Sequence, residues 1–90
     1  MKILVIEDDR TIGPYVADGL RREGHVVDLL PDGRDGLIRA TTGCHDLLIV
    51  DRLLPGLDGL ALVQTLRAAG NRTPVLFLTA VGGVEDRIAG

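Results

Sequence analysis

The chain of 90 residues has no tryptophan, one tyrosine, one phenylalanine, one cysteine and one lysine. With Tyr15 and Phe77 as its only aromatics, its core must be aliphatic, built from Leu, Val and Ile. Cys44 alone cannot form an internal disulfide or a cysteine cluster for zinc, which fits a reducing cytoplasm. No apolar run approaches the roughly 20 residues that a membrane helix needs. The start, Met1-Lys2-Ile3-Leu4-Val5-Ile6 followed by Glu7-Asp8-Asp9, is too short and too acidic to be a signal peptide. A formal charge of −3 leaves no basic footprint for nucleic acid or for an anionic membrane. The segment is therefore not expected to bind DNA itself. Internal repeats, linkers and low-complexity stretches are also absent.

What is present is ordinary globular material. A hydrophobic share of 46% against 26% charged residues argues for a folded chain, and its length for one domain spanning residues 1–90. Ile3 to Ile6 is a continuous apolar run, as in a strand buried on both faces. Ile12, Val16 and Leu20 recur at helical spacing, with Pro14 tolerated in the first turn and Gly24 as the stop. Val26 to Leu30 reads as a second strand, then Pro31-Asp32-Gly33 as a turn and cap. A helix from about Arg34 to Thr42 follows, closed by Gly43. Leu47 to Val50 is a third buried strand, and Asp51 ends it. Arg52 to Leu57 is a loop containing Pro55-Gly56, and Asp58 can cap a third helix over about Gly59 to Ala69. Pro74 can open a fourth strand, Val75 to Leu78. After Gly82-Gly83, Val84 to Ala89 reads as the opening of a helix. Strands and helices alternating at this spacing imply an α/β, doubly wound parallel sheet with helices on both faces.

In such sheets a site forms beyond the carboxyl ends of the strands, where strand order reverses. If the order is 2-1-3-4, that crevice lies between the first and third strands. Glu7, Asp8 and Asp9 follow the first, Asp51 follows the third, and Thr79 ends the fourth. Carboxylates gathered in this way repel one another and either raise a pKa or bind a cation. Oxygen ligands without His or Cys favour Mg2+, which seeks phosphate as a further ligand. A carboxylate can attack phosphorus to form an acyl phosphate, and the Thr79 hydroxyl could hold an oxygen of the transferring group.

Three stretches carry a resemblance that covers the whole chain: Ile3-Leu4-Val5-Ile6-Glu7-Asp8-Asp9, Asp51-Arg52-Leu53-Leu54-Pro55-Gly56-Leu57-Asp58-Gly59, and Pro74-Val75-Leu76-Phe77-Leu78-Thr79-Ala80. Together they resemble the receiver domains of bacterial two-component response regulators. The Leu-Pro-Gly-x-Asp-Gly loop and Gly24-His25-x-Val27-Asp28 are most similar to the winged-helix, OmpR/PhoB-type transcriptional regulators. The resemblance implies a flavodoxin-like receiver fold with strand order 2-1-3-4. It implies that Asp51 is the phosphoacceptor, fed by a sensor histidine kinase with Mg2+. Asp8 matches the acid that binds the metal directly, and Glu7 its partner outside the direct ligand sphere. Leu53 would lend its backbone carbonyl to the metal, and Thr79 matches the switch hydroxyl. Such a domain is a cytoplasmic phosphorelay acceptor rather than an enzyme, taking part at most in its own phosphorylation and dephosphorylation.

The family's fifth strand, its lysine, its aromatic switch residue and its last helix would all lie beyond Gly90. The receiver is thus expected to be incomplete at its C-terminus, with DNA reached only through a missing effector domain. Phosphoryl transfer should weaken without that lysine. A bare fourth strand should invite a homodimer or strand-exchanged oligomer. Two other functions stay open. A Mg2+-dependent phosphohydrolase with an aspartate nucleophile usually has a second aspartate two residues on, where this chain has Leu53. A receiver-like interaction module would bind partners without phosphorylation. Asp9, Asp32 and Asp58 read as helix caps or turn residues, and His25, Cys44 and His45 as structural or surface groups. No role attaches to Arg52. Gly82-Gly83 has neither the spacing nor the Lys-Ser/Thr of a phosphate cradle.

Overall fold

The continuous apolar run near the start is completely covered: Ile3, Leu4, Val5 and Ile6 are each at most 1% exposed. Only a central strand with helices on both faces can bury successive residues in this way. The computed structural model describes residues 1–78 in full and the backbone of 84–87. Its elements are β1 (Lys2–Ile6), α1 (Ile12–Arg22), β2 (Val26–Leu30), α2 (Gly33–Thr42), β3 (Leu47–Asp51), α3 (Gly59–Ala68), β4 (Val75–Leu78) and β5 (Val84–Arg87). They form a five-stranded sheet in the order β2-β1-β3-β4-β5. The pairs β1–β2, β1–β3 and β3–β4 are parallel. The expected doubly wound order 2-1-3-4 is therefore the order observed.

Alternation along the strands divides the core into two layers. Ile3, Val5 and Ile49 point to the face covered by α1 through Ala17, with Val16 and Leu20 packed alongside. Leu4, Ile6, Leu48, Val50, Val75 and Phe77 point to the other face, against Ala40 of α2 and Leu62, Val63 and Leu66 of α3. The low aromatic content makes Phe77 the largest of the fully buried side chains.

Local chemistry sets the helix ends. Asp9 Oδ1 accepts from the amides of Thr11 and Ile12 at 2.8 and 2.9 Å, ahead of Pro14 in the first turn of α1. Gly24, at φ +91°, then provides the left-handed residue that stops the helix. Asp32 Oδ2 accepts from Arg34 and Asp35 at the start of α2, and Asp58 Oδ1 from Leu60 at the start of α3. Caps of this type are each worth about 1 kcal/mol. At the opposite end of the sheet from the strand carboxyl termini, the buried His45 ring has Nε2 2.9 Å from Asp28 Oδ2. That contact ties β2 to the residues leading into β3. The His45 bond, with help from the Arg39 charge, holds the Asp28 carboxyl below its ordinary pKa.

Two expectations need correction. Val84 to Ala89 is not the opening of a helix: Val84–Arg87 is strand β5, antiparallel to β4 in the register Val75↔Arg87 to Leu78↔Val84. The fourth strand is consequently not a bare edge, and the homodimer or strand exchange expected through it loses its premise. The physical reason is the same for both. A segment this short gains little as an isolated helix. The free edge of β4 offers a row of backbone donors and acceptors that a returning strand satisfies at once.

The fold makes one stability prediction. Phe77→Ala should destabilise the domain by about 3–5 kcal/mol, read from the midpoint of a urea denaturation curve. A cost under about 1 kcal/mol would mean that Phe77 is not packed as described.

Candidate functional site

Register brings the acids together. In the β1–β3 pair Ile6, the last residue of β1, lies opposite Val50, so continuing that register brings the following residue, Glu7, opposite Asp51. Both continue the alternation that points to the α1 face. Asp8 follows at the rim. The outcome is a cluster in which Glu7, Asp8 and Asp51 offer carboxylate oxygens within 4.8 Å of one another. Glu7 is buried, Asp51 half-buried and Asp8 exposed.

Each carboxylate has a distinct environment. Glu7 is only 5% exposed, and its amide donates to Leu30 O at 3.0 Å, which fixes the chain where it leaves the sheet. Its carboxylate accepts from the Asp9 amide at 3.2 Å. Its pKa is nonetheless pushed up to about 7, first by burial and then by the hydrogen bond it shares with the Asp51 carboxyl. The Asp9 amide opposes that rise, while the negative charge of Asp51 adds to it. Asp51 Oδ1 accepts from the Leu53 amide at 3.1 Å, so the loop after β3 folds back onto the side chain of the strand's last residue. Leu53 itself turns outward, 67% exposed.

Of the residues singled out in the sequence, Glu7, Asp8 and Asp51 thus converge, and Leu53 borders them through its backbone. Asp9 stands apart as the cap of α1, as its position suggested. Thr79 lies outside the described residues. Cys44 is exposed, and His25 Nδ1 lies 3.1 Å from the N-terminal ammonium, far from the acids along the sheet. Arg52 has its guanidinium 6.0 Å from the centre of the Phe77 ring.

The donor set suits a hard divalent cation. All its ligand atoms are carboxylate oxygens, and the exposed and half-buried members leave room for retained water, the habit of Mg2+. The raised pKa of Glu7 is also what a cation would reverse, since a positive charge among three acids favours their ionised forms.

Two glycines lie against the loop beside this site. A Cβ on Gly59 would collide with the Asp51 carbonyl oxygen, and one on Gly33 with that of Leu57. Gly59 also donates to Arg52 O at 3.1 Å. Both follow a capping aspartate, and Gly59 closes the Leu-Pro-Gly-x-Asp-Gly loop, but neither feature reveals what lies against the glycine.

Comparison with known proteins shows the family and the fold. The family described as the response regulator receiver domain matches over residues 3–90. The transcriptional regulatory protein HprR of Escherichia coli strain K12 is 48% identical over 90 residues, covering 100% of this chain and 40% of that protein. The transcriptional regulatory protein PcoR of Escherichia coli is 46% identical over 89 residues, covering 99% of this chain and 39% of that one. The chain therefore spans about two fifths of the length of these curated relatives. Among solved structures, the receiver domain of the Francisella response regulator 1452 superimposes with a TM-score of 0.85 at 30% identity, over 91% of this chain and 68% of that one. The response regulator TrrA from Thermotoga maritima, in complex with Mg(2+)-BeF, gives 0.82 at 30% identity over 88% and 69%.

The shifted acid generates a pH prediction. Because the folded-state pKa of Glu7 lies above its ordinary 4.5, its contribution favours folding below that value and is lost as pH rises through about 7. With a chelator present, Glu7→Gln should therefore melt higher than the unsubstituted chain above pH 7, and the difference should shrink toward pH 4.5. A melting difference that does not vary with pH would mean that Glu7 is not strained by its neighbours.

Proposed function

The chain belongs to the response regulator receiver domain family, and on that premise we propose that Asp51 accepts a phosphoryl group from a sensor histidine kinase with Mg2+ held by Asp8, Asp51 and the Leu53 carbonyl. The observation that carries this reading is the convergence of Glu7, Asp8 and Asp51 from two distant strand ends into one oxygen-lined notch. The Mg(2+)-BeF complex of the relative TrrA supports the choice of metal.

The chemistry is a single displacement. An Asp51 carboxylate oxygen attacks the phosphorus of a phosphohistidine on the kinase. A P–O bond forms as the P–N bond breaks, and the histidine imidazole leaves with the electron pair. When bound, Mg2+ supplies positive charge that offsets the negative oxygens of the incoming group. The protein's own residues prepare that step. The Leu53 amide holds Oδ1 of Asp51, so the nucleophile is oriented before the donor arrives. Glu7 keeps the site anionic enough to attract a cation, and the pKa of about 7 leaves its proton easy to displace. Thr79 is covalently next to Leu78, the β4 residue in register with Asp51, and its hydroxyl is assigned to a phosphoryl oxygen of the product.

The switch is assigned to the cytoplasm, and among the described residues no helix is long and apolar enough to cross a membrane. Control of transcription, as in the names of HprR and PcoR, would be exerted through a DNA-binding effector domain. The acidic balance of this chain, −3, makes the receiver itself a poor candidate for contact with DNA.

Incubation with acetyl phosphate and Mg2+ should add one phosphoryl group per chain, read by intact-mass spectrometry, and Asp51→Asn should take none. Equal labelling of the Asp51→Asn variant would reject Asp51 as the acceptor. Steady turnover of a phosphate ester without a stable adduct would favour a phosphohydrolase instead.

A further inference from the structure

The segment between β3 and α3 has to place the Leu53 amide on Asp51, yet residues 52–58 form no helix or strand of their own. Something else must hold them, and the contacts converge on the first residues of α2. Gly33 donates its amide to Pro55 O at 3.4 Å. Gly33 sits so close to Leu57 that an added Cβ would strike the Leu57 carbonyl oxygen and come within 3.1 Å of Leu57 Cβ. A Cβ added to Gly56, which sits at φ +82°, would lie 3.0 Å from Oδ1 of Asp32. The two oxygens of Asp32 are thus divided: Oδ2 caps α2 through Arg34 and Asp35, while Oδ1 faces the loop. Leu54 and Leu57 add apolar anchorage by packing on the same core layer as α2 and α3.

We propose that the start of α2, Asp32-Gly33, is a positioning element for the phosphoacceptor site: it seats residues 55–57 and thereby keeps the Leu53 amide on the Asp51 carboxylate. The inference rests on the reading of Asp51 and Leu53 given above, but its first consequence is geometric. Backbone cannot yield as a flexible side chain can, so a methyl at position 33 has to push the Leu57 peptide away. The displacement passes along four residues to Leu53, where a shift of a few tenths of an ångström loosens the bond to Asp51 and misplaces the Leu53 carbonyl. Gly33 touches none of the reacting atoms; it acts through the loop.

The test compares Gly33→Ala with Gly19→Ala, a helical site where a new Cβ meets nothing within 4 Å. In metal-free amide spectra, Gly33→Ala should shift the resonances of Leu53 and of residues 55–57, while Gly19→Ala leaves them in place. Mg2+ affinity, followed by the same spectra, should fall about tenfold or more in Gly33→Ala at temperatures where the variant is fully folded. A folded Gly33→Ala variant with an unmoved Leu53 amide and unchanged Mg2+ affinity overturns the proposal. Should that variant not fold, the unsubstituted chain gives the answer: Mg2+ should shift the Gly33 amide together with the loop, and a loop that responds without Gly33 overturns it equally. Should the unsubstituted chain bind no Mg2+, the assignment of the metal site fails, and the positioning role then stands or falls on the metal-free shift of Leu53.

Discussion

Mutual repulsion among three carboxylates is the constraint on which this molecule is organised. Glu7, Asp8 and Asp51 would separate if their backbones were free. They are held together because β1 and β3 are hydrogen-bonded neighbours in a parallel sheet, with a register that sets residue 7 opposite residue 51. The cost appears directly in the chemistry of Glu7, whose acid form persists to about 7. The tightly buried aliphatic core around Ile3 to Ile6 opposes that repulsion, and a cation is its natural relief.

That strain links stability to function. Two of the three side chains that make the sheet ends electrostatically unfavourable, Asp8 and Asp51, are the ones proposed to hold the metal and take the phosphoryl group. A protein can maintain such a site because its favourable terms lie elsewhere, in two apolar layers and in caps at Asp9, Asp32 and Asp58. The Asp28–His45 contact fastens the other end of the sheet, well away from the acids.

Much of the fold was legible along the chain, for identifiable reasons. Parallel strands buried on both faces leave unbroken apolar runs, so Ile3 to Ile6 and Leu47 to Val50 stand out. The helices show period-3.6 stripes between capping aspartates and terminating glycines. The strand Val84–Arg87 was not legible, because Val-Glu-Asp-Arg carries no period-2 pattern and its conformation is imposed by the open edge of β4. The seats at Gly33 and Gly59 were equally hidden. A glycine after a cap looks the same whether open water or a carbonyl oxygen lies beyond its Cα.

The sequence by itself determined the alternating α/β order, the positions of the caps and the presence of acids at two strand ends. These are local properties, written in spacing and in side-chain type. Only the tertiary structure decided that the carboxylates of Glu7, Asp8 and Asp51 come within 4.8 Å of one another, that β4 is covered, and that the start of α2 lies against the loop after Asp51. Those outcomes depend on which backbones come within about 5 Å of one another across the sheet and on which loop lies against which helix. No short stretch of chain encodes that distance.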